Sequence, residues 1–383
     1  MNQNEAEMDL GQVLRKLIKW KTIRYLLFII ILTSCQYHPT QHGQQYTNGQ
    51  LPRLLNLAQP HLNRPINIDS YLQQVKLIEQ YSPSLFNQNK AVYNAINQWI
   101  IEGLATNQFN FVGLSTYQLQ GQDKWGNVHL TGYYTPVMKG RRTPQGRYRY
   151  PLYAKPRNFS TRLPSRLEIY DGALDGQKLE IAYTDSLIDN FIMEVQGSGF
   201  IDFEDGSPPI FFGYNGKNGH PYKSIGRLLI EQGKFQRGKV SMQAIKAWAK
   251  EQDEQVVKNL LIQNASTVFF EPQQHALVIG STGVPLIARA SVASDQSIIP
   301  AGSVLLVDIP LLDDKGIYQG QRELRLMIAL DIGGAIKGQH LDIYQGIGEQ
   351  AGNLAGYYNH YGRVWLLAPP KNSHLLSPVL TRT

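Results

Sequence analysis

Residues 330–344 read LDIGGAIKGQHLDIY, a glycine-containing stretch with two aspartates, Asp331 and Asp342. The apolar run of residues 324–330 predicts a buried strand that delivers Asp331 at its end. A second short strand, residues 341–344, carries Asp342 eleven positions later and is closed by glycine. Strand ends next to glycine allow a backbone to approach a ligand closely. The two carboxylates are therefore candidate site residues, with solvent-facing strand positions as the alternative.

Several further motifs extend this pattern over most of the chain, from about residue 71 to residue 366. They are, in order, TGYYTP (131–136), MEVQGSG (193–199), RASVASD (289–295), DIGGAIKGQHLDIYQG (331–346) and YNHYGRVW (358–365). Together they resemble the membrane-bound lytic murein transglycosylase A family. The C-terminal part of that family, the 3D domain, is named for three aspartates, which fall here on Asp308, Asp331 and Asp342.

The resemblance implies a mainly β fold with a few packing helices. A double-psi β-barrel, split in sequence into residues 66–139 and 267–370, would carry the 3D domain at about 295–367. A second β domain would be inserted at residues 140–266, with the substrate in a groove between the two domains. Such a groove is a common binding place for a long ligand.

The activity that the resemblance implies is cleavage of the β-1,4 bond between N-acetylmuramic acid and N-acetylglucosamine, leaving a 1,6-anhydro end. An acid protonates the leaving oxygen, and the C6 hydroxyl of the sugar replaces water as nucleophile. Asp342 is expected to be this acid, because its neighbours Leu341 and Ile343 form an apolar setting that raises a carboxyl pKa. Asp331, beside glycines with free backbone donors, is expected to be an ionised electrostatic partner, and Asp308 a supporting residue.

Aromatic, amide and small residues of the same motifs are the expected substrate contacts, because such groups bind neutral sugars. Considered alone, the Gly-Asn turns at residues 215–220 are better explained as hairpin turns than as sugar-binding groups. The expected set is Tyr133, Tyr134, Thr135, Gln196, Gly197, Ser198, Asn215, Asn218, His220, Gln345, Tyr358 and Asn359.

Two other functions remain open on the sequence alone. A glycoside hydrolase would use water, with Asp331 and Asp342 as its carboxylate pair, and would leave a reducing end. A non-catalytic, expansin-like protein would bind glycan through aromatic and amide side chains and would need no protonated carboxyl. The preference for chain ends, the oligomeric state and any partner in a cell-wall synthesis or hydrolysis complex are left open.

Three other types of site are not supported by the sequence around their motifs. The motif GIGEQA (346–351) fits a dinucleotide fingerprint, but no acidic residue follows its own glutamate and no βαβ unit surrounds it. The turn at Asp331 lacks the matching second turn of an aspartic protease. His340, Asp342 and His360 do not have a recognisable metal-ligand spacing, so no metal or other cofactor is expected.

Composition and charge support an envelope protein only weakly. The 383 residues suffice for two domains, and 42% hydrophobic with 17% charged residues is typical of a globular chain. The net charge is +7, and removal of residues 1–35, with five Lys/Arg and three Asp/Glu, leaves +5. A mildly basic protein suits an anionic polymer or lipid surface. The chain has no dense Lys/Arg run, so nucleic acid is not an expected partner.

Periodicity predicts helices around residues 71–78, 91–101, 224–232 and 241–261. Strands are predicted elsewhere, including residues 191–195 of the MEVQGSG motif and residues 267–270 after the insertion.

The first 35 residues resemble a bacterial lipoprotein signal. A basic segment precedes the apolar run of residues 25–32, which is too short to span a bilayer and ends in Leu-Thr-Ser-Cys35. Cys35 is the only cysteine, so no disulfide can form within the chain. Gln36, in place of an aspartate, indicates sorting to the outer membrane, on its periplasmic face. Residues 36–65, rich in Gln, Asn, His and Pro, are typical of a tether.

We expect Cys35 to carry the lipid anchor, with an uncleaved signal anchor as the alternative. Metabolic labelling with a fatty-acid analogue should mark the wild-type protein, whereas Cys35→Ser should remain unlabelled. Equal labelling of the two proteins would contradict this assignment.

Overall fold

The computed structural model describes residues 64–121, 126–157, 162–236, 240–273, 277–313 and 316–370. The expected signal peptide, and the tether apart from its last two residues, lie outside these ranges. In chain order the elements are α1 (Ile68–Tyr81), α2 (Pro83–Ile101), a 3₁₀ segment (Thr106–Val112), β1 (Ser115–Gln118), β2 (Val128–Thr135), β3 (Val137–Lys139), β4 (Tyr150–Tyr153), α3 (Arg166–Tyr170), β5 (Glu180–Thr184), α4 (Leu187–Gln196), β6 (Gly199–Asp202), β7 (Ile210–Lys217), α5 (Ile225–Glu231), α6 (Met242–Lys250), α7 (Glu254–Leu261), β8 (Val268–Gln273), β9 (Ser291–Ala293), β10 (Val304–Leu312), β11 (Tyr318–Asp331), β12 (His340–Ile347), α8 (Gly348–Tyr357) and β13 (Asn359–Ala368).

Seven strands form a sheet that closes on itself. Their order is β1-β13-β10-β11-β9-β12-β2, and β2 also pairs with β13. Six strands therefore form a ring, and β1 is added beside β13. Two neighbouring pairs in the ring are parallel, β9 with β11 and β2 with β12, and the other pairs are antiparallel. The fold is mainly β with some helices, as the sequence predicts.

The strand at residues 324–330 is apolar because both of its faces are buried. Leu326 and Ile328 belong to a core cluster with residues of α1 and α2. Met327 and Ala329 belong to a second cluster, to which all six ring strands contribute. The two predicted N-terminal helices are thus confirmed, and they cover the outer face of this strand.

The residues between β2 and β9 form a second group of elements. Strands β3, β6, β7 and β8 make a four-stranded sheet, and β4 pairs with β5. Helices α3 to α7 lie in the same part of the chain, and α4, α5, α6 and α7 share one core cluster. We call residues 137–273 the insert.

The predicted strand at residues 191–195 is wrong, because this segment belongs to helix α4. Ser186 begins the helix by accepting a hydrogen bond from the Asp189 backbone, and Gly197 ends it with a φ of 82°. Ile188, Phe191 and Ile192 are buried at helical spacing. A short apolar run does not distinguish a strand from a buried helix by its periodicity.

Two further elements differ from expectation. β8 was expected in the barrel segment that begins at residue 267, but it pairs with β7 in the four-stranded sheet. The single helix predicted over residues 241–261 is broken into α6 and α7. Asp253 stands at the start of α7, a position where aspartate is strongly preferred.

Gly132 allows β2 and α8 to pack closely. A Cβ atom at this position would lie 2.9 Å from the Cα of Ala355 and 3.1 Å from the Cβ of Tyr358. Since both atoms are at or next to the backbone, neither can move away without shifting an element of the fold.

Gly132→Ala is therefore expected to lower the free energy of unfolding by about 1–3 kcal/mol. Chemical denaturation measures this loss. Gly334→Ala is a matched control, because a Cβ there meets no atom within 4 Å, and its effect should stay within about 0.5 kcal/mol. Equal effects of the two substitutions would contradict the packing argument.

Candidate active site

The parallel pairing of β2 with β12 places three pairs of side chains face to face. His129 is in register with His340, Thr131 with Asp342, and Tyr133 with Tyr344. Because successive residues of a strand point to opposite sides, these alternate positions lie on one face. The intervening residues Leu130, Leu341 and Ile343 are buried in the ring cluster. Asp342 thus occupies the middle pair, with an apolar core on the other side of its strand.

The carboxyl of Asp342 is half-buried and held by one hydrogen bond. The hydroxyl of Thr131 donates to its Oδ1 at 2.7 Å. Burial raises the pKa of Asp342 to about 7, and the nearby charge of Asp331 adds to this, whereas the Thr131 bond lowers the pKa. At neutral pH this carboxyl can therefore both donate and accept a proton.

Asp331 is held in a different environment at the end of β11. The backbone N–H groups of Ser281 and Ile332 each donate to its Oδ1 at 2.9 Å, and the Tyr133 hydroxyl donates to its Oδ2 at 3.0 Å. Burial raises the pKa of Asp331, but these donors oppose that effect. The expected backbone donors are present, but they come from Ser281 and Ile332 and not from the glycines at 333 and 334.

The two carboxylates lie on either side of one short strand. Asp331 of β11 and Asp342 of β12 are both in register with Ala293 of β9. Two strand spacings separate their Cα atoms by roughly 10 Å. Ala293 contributes only a methyl group between them. The two acids are therefore neighbours in the candidate site, but they do not share a proton.

Asp308, the third aspartate of the motif set, lies elsewhere. Its side chain is 1% exposed and pairs with Arg322, whose Nε donates to Oδ1 at 2.7 Å. None of the hydrogen bonds found for Asp308 reaches Asp331 or Asp342. Its contacts support a structural role between β10 and β11.

The consecutive residues Tyr133, Tyr134 and Thr135 have separate surroundings. Tyr133 contacts Asp331, and its ring centroid lies 5.2 Å from that of Tyr344. The ring of Tyr134 lies instead against Gly352 of α8. Thr135 is buried, and its hydroxyl is 3.1 Å from that of Tyr344. Of the three, Tyr133 is the one in direct contact with a site carboxylate.

Helix α4 brings the MEVQGSG motif to β2. The side-chain oxygen of Gln196 accepts a hydrogen bond from the Tyr134 backbone at 2.9 Å. The helix is anchored by Glu194, which receives two hydrogen bonds from the buried guanidinium of Arg166 at 3.0 and 2.8 Å. Gly197 ends the helix, and the half-buried Ser198 follows it.

Residues 215–217 belong to β7 and residues 218–220 follow it, and their polar side chains do not all meet the expectation of sugar contact. Asn218 is buried and donates to the carbonyls of Pro164 and Ala265, and His220 Nε2 is 2.9 Å from the Leu163 carbonyl. These two side chains are used within the insert. Asn215 lines a cavity of about 450 Å³ that includes none of the three aspartates.

Of the remaining expected contacts, Gln345 lies in β12, Asn359 begins β13 and Tyr358 directly precedes it. Gln345 is buried, and its Oε1 has no hydrogen-bond partner among the described atoms. Tyr358 is 6% exposed, and its ring lies 6.0 Å from that of His360. Asn359 Oδ1 is 2.7 Å from His129 Nε2. Asn359 therefore reaches the face that carries Asp342, although through a histidine.

Sequence reasoning missed Thr131, His129 and the contact of His340 with Thr131. Residues 129–133 and residues 340–344 each alternate between side chains of one face and of the other, which a strand pattern can reveal. Only the strand register shows that the two segments lie side by side. Within the described ranges, no group of three or more His, Cys, Asp or Glu side chains is placed to hold a metal ion.

Comparisons with known proteins show to which family the chain belongs. The family model of the MltA specific insert domain matches residues 129–271, and that of the 3D domain matches residues 290–368. A membrane-bound lytic murein transglycosylase A of Escherichia coli K12 is 51% identical over 355 residues, which is 91% of this chain and 97% of the relative. The chain belongs to this family.

Further members show the same relationship. The Vibrio cholerae membrane-bound lytic murein transglycosylase A is 43% identical over 348 residues, covering 91% of this chain and 94% of the relative. The crystal structure of E. coli MltA with bound chitohexaose has a TM-score of 0.78 at 51% identity, over 86% of this chain and 99% of that chain.

As for the membrane, the part of this chain that the structure describes contains no helix of the length and apolar character needed to cross a bilayer.

Asp342→Asn is expected to stabilise the protein more at pH 8 than at pH 5. The folded-state pKa of about 7 lies above the ordinary value of 3.8, so the stability given by the bound proton is full below pH 3.8 and is lost as pH rises through 7. Asparagine stays neutral and avoids this loss. The gain at pH 8 should exceed that at pH 5 by about 1–2 kcal/mol, allowing for the half-buried position.

Chemical denaturation of both proteins at the two pH values measures this difference. Asp331→Asn serves as a comparison, because three donors are left without a charged acceptor in that variant. A gain from Asp342→Asn that is equal at pH 5 and pH 8 would show that the carboxyl does not hold its proton at neutral pH.

Proposed function

We propose that this protein is a peptidoglycan lytic transglycosylase that cleaves the β-1,4 bond between N-acetylmuramic acid and N-acetylglucosamine and leaves a 1,6-anhydromuramic acid end. Asp342 acts first as general acid and then as general base. The observation that carries the proposal is a half-buried carboxyl with a pKa of about 7 on a face lined by neutral hydrogen-bonding groups. Family membership, and the sugar oligomer bound to a related structure, support a glycan substrate.

In the first step, protonated Asp342 gives its proton to the glycosidic oxygen as the C1–O bond breaks. The departing N-acetylglucosamine leaves with a hydroxyl group, and positive charge develops at C1 and the ring oxygen. Asp331, which is ionised and held in place nearby, stabilises the positive charge at C1 without moving a proton. Its three donors hold the carboxylate in position.

In the second step, the C6 hydroxyl of the same muramic acid attacks C1. Ionised Asp342 accepts the C6 proton, so the acid is restored and the 1,6-anhydro ring closes. No water is consumed, and one carboxyl performs both proton transfers. The bonding of Asp331 argues against a second role as nucleophile or base, because both of its oxygens already accept hydrogen bonds.

The substrate path follows from where the insert meets β2. Gln196 of the insert bonds to the backbone of Tyr134, directly after Tyr133. We place the glycan in a groove between the ring and the insert, along this junction. The two parallel pairs in a closed six-stranded ring support a double-psi barrel, with residues 66–139 and the chain after β8 as its two segments.

The cellular setting proposed is the periplasmic face of the outer membrane, where the enzyme serves cell-wall turnover. The lipoprotein pattern ending at Cys35 supports lipid anchoring, and the relatives are named membrane-bound. The proposed partners are thus the glycan strands and the membrane lipid.

Asp342→Asn is expected to abolish bond cleavage while leaving folding and glycan binding nearly intact. Asparagine keeps the shape but cannot give and recover a proton, so the rate should fall at least about a hundred- to ten-thousand-fold. The assay is release of anhydro-muropeptides from purified sacculi, followed by mass spectrometry. Asp331→Asn is the matched control and should lose less, because its role is electrostatic.

Three outcomes count against the proposal. If Asp342→Asn keeps more than about a tenth of the wild-type rate, worth only ~1.4 kcal/mol of barrier, Asp342 is not the acid. Products that end in reducing sugars would instead show a water-using hydrolase. Glycan binding with no product at all from the wild type would favour the expansin-like alternative.

A further inference from the structure

Two histidines lie beside the Thr131–Asp342 pair and take no part in the proposed reaction. The Nε2 of His340 is 2.8 Å from Thr131 Oγ1, whose hydroxyl donates to Asp342 Oδ1 at 2.7 Å. The ring of His129 stacks on that of His340, with centroids 4.4 Å apart and an interplanar angle of 24°. His129 Nε2 is in turn 2.7 Å from Asn359 Oδ1. These contacts connect three strands to one carboxyl oxygen.

The direction of these hydrogen bonds follows from what each group can donate. A hydroxyl has one proton, and Thr131 uses it toward Asp342. The short contact with His340 must then be a bond that Thr131 accepts, which requires a proton on His340 Nε2. The imidazole thus determines which way the hydroxyl points.

We infer that His340 is a positioning residue that acts through Thr131. By donating to the Thr131 oxygen it keeps the hydroxyl directed at Asp342 Oδ1, so that the transferable proton of Asp342 resides on Oδ2. This inference rests on the proposed role of Asp342 as acid and base, and it assigns a role to a residue that the two proposed steps do not use.

Without the His340 donor, a second arrangement becomes available. The Thr131 hydroxyl can rotate away and accept a proton from Asp342 Oδ1. The acid proton is then held by the protein and is not presented to the glycosidic oxygen. Since only one of the two arrangements is productive, loss of the donor lowers the rate of chemistry more than it lowers substrate affinity.

His340 does not act on Asp342 through a positive charge, because the imidazole is neutral near pH 7. Burial and the neighbouring His129 lower the pKa of His340 to about 4, and burial also lowers the pKa of His129. The titratable groups that face the pair are Asp342 on the same strand, His129 on β2 and Tyr361 of β13, whose ring lies 5.3 Å from that of His129.

The test compares His340→Phe, which keeps a ring for stacking but has no donor, with His340→Gln, whose amide can donate. With sacculi as substrate, His340→Phe should lower kcat about 10- to 50-fold and change KM less than about twofold. His340→Gln should recover to within about fivefold of wild type. Thermal melts of both variants report folding, and His340→Met replaces His340→Phe if the latter does not fold.

A pH profile separates positioning from simple loss of structure. Thr131 lowers the pKa of Asp342, so an undirected hydroxyl should let that pKa rise. The alkaline limb of kcat is expected at higher pH in His340→Phe than in wild type, whereas a partly unfolded variant would lose amplitude without moving the limb.

A double variant tests whether the effect passes through Thr131. Thr131→Val should be about as slow as Thr131→Val combined with His340→Phe, because the second change has nothing left to direct. Multiplicative losses, an unshifted limb, or equal rates for His340→Phe and His340→Gln would overturn the inference. Failure of the proposed function is seen separately, as a wild-type rate in Asp342→Asn.

Discussion

The register between β2 and β12 is the constraint on which the site depends. It sets Thr131 opposite Asp342 in a parallel pair whose two strands come from opposite sides of the insert in sequence. A shift by one residue would turn Asp342 into the ring cluster and expose Leu341 or Ile343. Burial of the alternate apolar residues therefore fixes the carboxyl on one face. The same register stacks the two histidines on one side of it and brings the two tyrosine rings into tilted contact on the other.

The rest of the fold keeps that pair of strands in place. β9 lies between the strands that carry the two site aspartates, and β13 closes the ring on the far side of β2. The insert adds its own contacts near the site. Gln196 bonds to the backbone of Tyr134, and Gln243 of α6 donates to the Gly352 carbonyl of α8. The insert is thus attached both to β2 and to α8.

Sequence patterns predicted the parts of this structure that depend on local residues. The apolar neighbours of Asp342 were sufficient to predict a raised pKa, and the apolar run before Asp331 predicted a buried strand, whose two faces both lie in core clusters. The Thr131–Asp342 bond spans 211 positions, and no local pattern reports such a contact. For the same reason the internal bonding of Asn218 was missed. Helix α4 was mistaken for a strand because its apolar run is short.

In the proposed reaction, one carboxyl that burial keeps half-protonated near neutral pH gives and recovers the proton. The most direct test is a ¹³C NMR titration of the Asp342 side-chain carboxyl in the folded protein, assigned by comparison with Asp342→Asn. A titration midpoint of about 7 is expected for Asp342. A midpoint at the ordinary value of 3.8 would contradict it, because the carboxyl would then be ionised at working pH and unable to protonate the leaving oxygen.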